Sequence, residues 1–165
     1  MDSKQGNDCQ IPEPYLNFLI SAQYLYCCTL DQHQYPHIVP LAFTFDIDKS
    51  LVLCVTDHRS IKVRNMQRIP YVSFTTDRVH PKNPFLNAGI MLETFVELKE
   101  DKNQIADVMA KLQTKYSSLA ESNFLPTYSS EILIVAHPMK VVYWKGPFFR
   151  RFRCPTWRKR GKLKK

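Results

Sequence analysis

Three apolar runs joined by two short turns decide the fold class of this chain. YLYCCTL (Tyr24 to Leu30), HIVPLAFTFDI (His37 to Ile47) and LVLCVT (Leu51 to Thr56) are linked by DQHQYP and DIDKS. Parallel neighbours need a crossover of roughly a dozen residues or more. Turns this short therefore exclude an all-parallel sheet and predict antiparallel strands. Three more runs extend the pattern: YVSFTTD (Tyr71 to Asp77), NAGIMLETFVELKE (Asn87 to Glu100) and EILIVAHPMKVVYW (Glu131 to Trp144). The fifth alternates, with Ile90, Leu92, Thr94, Val96 and Leu98 on one face. Pro40, inside the second run, predicts a bulge or an N–H turned away from the ladder.

Three segments carry the helical period instead. EPYLNFLISAQ (Glu13 to Gln23) places Leu16, Leu19 and Ile20 on one face. RSIKVRNMQRI (Arg59 to Ile69) has Ser60 at the capping position. Asp101 opens a third helix with Gln104 three residues on, as in a capping box, and Ile105, Val108, Met109 and Leu112 form its apolar stripe to about Leu119. The expected architecture is mainly β with flanking helices, a small antiparallel barrel.

Length and composition narrow the classes further. A chain of 165 residues fits one domain. We divide it into a polar arm (1–12), a barrel domain (13–146) and a basic, aromatic tail (147–165). No run approaches the ~20 apolar residues of a membrane helix, and the polar start lacks the centre of a secretory signal. The expected setting is cytoplasmic, with no membrane contact. The 5 cysteines are odd in number and form no C-x-x-C pair. Cys27, Cys28 and Cys54 read as small buried hydrophobes, whereas Cys9 and Cys154 lie in polar surroundings and read as exposed thiols. The 4 glycines permit neither a dinucleotide fingerprint nor a P-loop. Any phosphate must then be held largely by side chains.

The charge is concentrated. Of 23 cations, 10 lie between Lys145 and Lys165, where there is no acid, leaving 13 cations against 15 acids elsewhere. Phe148, Phe149, Phe152 and Trp157 are interleaved with those cations, a pattern open to nucleic acid or an acidic partner, and equally to a solvated chain end. The five histidines are scattered, so no metal site is expected.

TDHRSIKVRN (Thr56 to Asn65) is the strongest site candidate. A strand end feeding a helix start gathers unpaired N–H groups and the positive end of the helix dipole. Thr56 and Ser60 add hydroxyls, while Arg59, Lys62 and Arg64 add charge. A phosphate group fits such a corner, and so does a capped surface helix with a solvated basic face.

The order of motifs resembles the FMN-binding split-barrel family, the relatives of pyridoxamine 5′-phosphate oxidase. The resemblance rests on Pro36, His37 and Pro40, then Thr56, Ser60 and Lys62, then Arg64 and Asn65, with ILIVAHPMKVVYWKG as a closing strand, and covers roughly Tyr15 to Gly146. It implies a six-stranded Greek-key split barrel and a homodimer with FMN at the subunit interface. It implies that Thr56, Ser60 and Lys62 hold the phosphate, with Arg59 and Val55 beside them. His37, Ile38, Val39 and Pro40 would line the flavin ring and ribityl chain. Thr76, Asp77 and the 87–91 segment would complete the pocket from either subunit. Ile61 and His37 replace arginines of the oxidases themselves, and their C-terminal substrate signature is not recognisable. The resemblance thus implies a flavin-dependent oxidoreductase acting on another small molecule. Two rival readings stand beside it: a split barrel that binds a deazaflavin coenzyme or haem, and a non-enzymatic module whose tail, 147–165, contacts nucleic acid or an acidic partner.

Overall fold

The computed structural model describes residues 11–117 and 130–154. Its elements follow the chain as α1 (Glu13–Ile20), β1 (Leu25–Leu30), β2 (Pro36–Leu41), β3 (Thr44–Asp46), β4 (Leu51–Asp57) and α2 (Ile61–Arg68). After these come β5 (Tyr71–Arg78), a 3-10 turn (Pro84–Leu86), β6 (Ala88–Lys99), α3 (Lys102–Lys115), β7 (Glu131–Lys145) and β8 (Phe148–Arg153). The sheet order is β2-β1-β5-β6-β7-β4-β3, and β8 pairs with β7. Every pairing is antiparallel, as the short turns required.

The strand count differs from the expected six. Eight strands are present among the described residues because the second run breaks in two and because Phe148–Arg153, the first part of the basic segment, adds a strand to β7. The break closes the fold. β2 and β3 sit at opposite ends of the sheet path, yet only Ala42 and Phe43 separate them. Two residues span at most about 7 Å per extended pair, so the sheet must curl until its edges meet. The N–H of Phe43 leaves the ladder and donates to the Tyr116 hydroxyl at 3.2 Å. Pro40 is accommodated because β2 is an edge strand.

Curling creates an inside. Leu25, Cys27, Val52, Cys54, Phe74, Ile90, Leu92 and Ile134 fill it, with α1 covering one side through Leu19. A second cluster lies on the other face of β4 and β7, where Ile105, Val108, Leu112 and Tyr116 pack on Leu53, Val55, Leu133 and Val135. β4 and β7 are therefore buried on both faces, which explains their unbroken apolar runs. The expected cap of α3 is present: Asp101 accepts from the N–H groups of Asn103 and Gln104 at 2.9 and 3.0 Å. Residues 118–119, the last expected residues of that helix, lie outside the described residues, as does Cys9.

Cys27 and Cys54 are buried free thiols and Cys28 is half-buried. Burial pushes Cys27 up to about 12, partly offset by Lys62, so it stays a neutral hydrophobe. Cys154 departs from expectation: it is buried and disulfide-bonded rather than an exposed thiol. The β8 pairing draws it inward, and its N–H donates to the Met139 carbonyl at 2.9 Å.

Candidate functional site

Thr56 ends the buried part of β4, and its side chain shares the barrel interior with Cys54. The chain then turns through Asp57 to Ser60 into α2. Asp57 organises this turn. Its carboxylate accepts from the backbone N–H of Arg59 at 2.8 Å and from the Arg59 guanidinium at 3.1 and 3.3 Å. Those bonds hold Asp57 below the usual carboxylate range and push Arg59 up.

Ser60 occupies the capping position expected of it but does not cap. Its hydroxyl oxygen is buried with no hydrogen-bond partner among the described residues. A buried hydroxyl left unpaired costs about 1–3 kcal/mol, so this one points to a missing partner. Lys62, two residues on, is half-buried and forms no ion pair among the described residues. Burial lowers its pKa, while Cys27, Asp57 and Cys54 pull it back up. The start of α2 thus carries both a desolvated ammonium and an orphaned hydroxyl.

α2 is held in place by a buried polar tie. The Asn65 amide donates to the Thr29 hydroxyl at 3.0 Å, and that hydroxyl donates to the His37 carbonyl at 3.4 Å. Both Asn65 and Thr29 are buried. Thr29 was not among the expected site residues, and Asn65 ended the candidate motif without a role assigned to it. The alternation of YLYCCTL does place Thr29 on the face of Cys27 and Leu25, and a polar residue at such a position is the available signal.

The pleat of β2 divides the residues expected to line the cofactor. His37 and Val39 pair with Thr29 and Cys27 and turn inward, and Nδ1 of His37 is a second buried atom with no partner among the described residues. Ile38 and Pro40 turn outward, and Ile38 is 61% exposed. Thr56, Ser60, Lys62 and His37 therefore gather at one end of the barrel, with exposed Arg59 at its rim. Val55 is on the opposite face of β4, beneath α3. Thr76, Asp77 and residues 87–91 lie toward the other end of the sheet: Ile90 pairs with Thr76, whereas Thr56 pairs with Ile132 near the far end of β6. About nine residues of strand, roughly 30 Å, separate them within one chain.

No protein-family model matches the chain, and no curated protein matches it in sequence. Solved structures do match its shape. One is a Listeria innocua protein named after pyridoxamine 5′-phosphate oxidase, 15% identical, with a TM-score of 0.58 over 78% of this chain and 93% of that one. Another is an F420 reductase, 20% identical, with a TM-score of 0.61 over 79% and 98%. A third is the haem storage protein of Vibrio cholerae, 15% identical, with a TM-score of 0.63 over 82% and 95%. The chain thus has the split-barrel fold of the pyridoxamine 5′-phosphate oxidase-like structures. At these identities the likeness carries the fold; activity has to be read from the site.

Proposed function

We propose that this chain binds FMN through its phosphate at the β4–α2 corner and works as a flavin-dependent oxidoreductase. The observation that carries the reading is Ser60: a buried hydroxyl at a helix start, two residues before a half-buried lysine, with neither a hydrogen bond to the one nor an ion pair to the other among the described residues. A phosphate would satisfy both at once. Thr56 and the α2 N–H groups would add donors, and Arg59 would reach the phosphate on leaving Asp57. His37 and Val39 fit the approach to the ring, and the orphaned His37 nitrogen offers it a hydrogen bond. Bound FMN would supply the hydride chemistry, leaving position and electrostatics to the chain.

A homodimer completes this proposal. The outer face of β2, β1 and β5 exposes Ile38, Tyr26 and Tyr71, a patch suited to a second copy. A dimer through that face would also let Thr76, Asp77 and the 87–91 segment reach the partner's corner, which they do not reach in their own chain.

The absorbance spectrum of freshly purified protein tests the reading, followed by release and identification of the chromophore. Flavin absorbance with about one FMN per chain is expected. A released deazaflavin or haem would move the proposal to the ligands named for the F420 reductase and the haem storage protein. A colourless protein that takes up no added FMN would overturn it.

A further inference from the structure

We infer that the end of the sheet opposite the β4–α2 corner is a peripheral docking surface for an anionic lipid bilayer. Two loops build it. The first joins β5 to β6 and spans residues 79–87; the second is the tight β7–β8 turn at Gly146. Lys145 pairs with both Ala88 and Phe148, so the strands deliver the two loops side by side. The Gly146 N–H donates to the Asn87 carbonyl at 2.8 Å. Gly146 has a φ of +53°, and a Cβ there would lie 2.5 Å from the Phe85 carbonyl oxygen. The second turn thus rests directly on the backbone of the first.

The first loop is turned inside out. Its polar side chains brace its own backbone: Asn83 accepts from the Phe85 N–H at 3.0 Å, Asn87 from the His80 N–H at 2.7 Å, and the His80 ring from the Asn83 N–H at 3.1 Å. Its apolar side chains face water. Val79 is 66% exposed, Phe85 70% and Leu86 46%, and across the turn Phe148 is 77% and Phe149 61% exposed. Large apolar groups gathered this way mark an interaction surface. Cations rim them: Lys82, Lys145, Arg150 and Arg151 are all exposed, while Arg78 is turned onto α1, over the Phe18 ring. No acid occurs between residues 78 and 92 or after Glu131. The nearest acids in the sheet are Asp77 and Glu93, and Glu93 is engaged by Lys140.

An apolar tip ringed by cations fits the interface of an anionic membrane, where apolar groups enter the acyl boundary and lysines and arginines meet headgroups. Single-stranded nucleic acid fits less well. Val79 and Leu86 have no π-face to stack on a base. A second copy of the chain would bring two cationic rims together. No helix among the described residues is long and apolar enough to cross a membrane. The contact proposed is peripheral, and it was invisible in sequence because Asn87, at the end of one loop, is 59 positions from Gly146, at the start of the other, until the sheet pairs them. Within one chain it lies at the opposite end of the barrel from the β4–α2 corner, and Phe85 and Phe148, on which its test turns, have no part in the cofactor reading.

The test is sedimentation of the full chain with vesicles of phosphatidylcholine containing about one-third phosphatidylserine, against phosphatidylcholine alone. Wild type should sediment with the anionic vesicles and be released by salt. The Phe85→Ser/Phe148→Ser variant, confirmed folded by circular dichroism, should bind them about tenfold or more weakly. Phe148→Trp should show a blue-shifted emission on these vesicles. Absence of sedimentation would overturn the inference. So would binding that the double variant leaves unchanged, since that is adhesion by cations alone. Loss of RNA binding in the double variant with vesicle binding intact would assign the surface to nucleic acid instead.

Discussion

The Tyr116 hydroxyl, at the end of α3, accepts the N–H of Phe43 at 3.2 Å and donates to the carbonyl of Gln23. One side chain thereby joins Phe43, one of the two residues that bridge the sheet edges, to Gln23, just before β1. Tyr116→Phe keeps the ring and its packing but leaves a buried N–H and a carbonyl unpaired. A loss of about 1–3 kcal/mol is expected, read as a lower urea midpoint with an unchanged slope. A midpoint equal to wild type would mean that the barrel closes without this tie.

The Asn65–Thr29 tie gives the next prediction. Asn65→Ala removes the donor, leaves a cavity under α2 and should cost roughly 1–3 kcal/mol. Because the tie orients the helix that carries Lys62, affinity for FMN should fall even though Asn65 does not face the phosphate. Thr29→Val should reproduce both effects. A loss of stability with unchanged affinity would confine the pair to packing.

Much of this fold was legible because its signals are local. The short turns required antiparallel pairing, the period of IADVMAKL marked α3, and Asp101 with Gln104 marked its start. The split of HIVPLAFTFDI was not legible, since the break at Phe43 is stabilised by Tyr116, 73 residues away. The strand at Phe148–Arg153 was hidden by its charge: its cations face water, while Phe152 alone packs against Tyr15. At the site, TDHRSIKVRN located the corner. What the motif could not reveal is that Ser60 withholds its hydroxyl from the helix, because capping depends on backbone and side-chain geometry, not on residue type.

Ile38 tests the proposed dimer. It stands on the outer face of an edge strand, exposed in the single chain, so charge there should leave the fold intact. Ile38→Glu should give a monomer in sedimentation velocity and, with the shared groove lost, a reduced FMN content. A dimer that survives this change would place the interface elsewhere.

Lys115 makes a prediction about pH. Its ammonium lies 3.5 Å from the centroid of the Phe43 ring, and burial lowers its pKa to about 8 from 10.5. The ring favours the charged form and works against burial, but the net direction is down. The folded state therefore binds this proton less tightly than the unfolded state does. Stability should rise as pH climbs from about 8 toward 10.5, where the unfolded chain also loses the proton. Lys115→Met should lack that rise in urea melts across the window. The same slope in both proteins would assign it to other groups.

Ser60 and Lys62 should separate stability from binding, which few substitutions do. Without ligand, the Ser60 hydroxyl is buried for no return, and the Lys62 ammonium is partly desolvated. Ser60→Ala and Lys62→Met should each leave the ligand-free protein as stable as wild type or more so. With FMN the order reverses, because each variant lacks a phosphate contact. Lys62→Met should lose about 1.5–3 kcal/mol of binding, a charge-assisted bond, and Ser60→Ala about 0.5–1.5 kcal/mol. Thermal melts with and without FMN, together with fluorescence titration, read both quantities on the same samples. If both variants destabilised the ligand-free protein and bound FMN normally, the corner would be a structural cap, and the phosphate would have to be sought elsewhere.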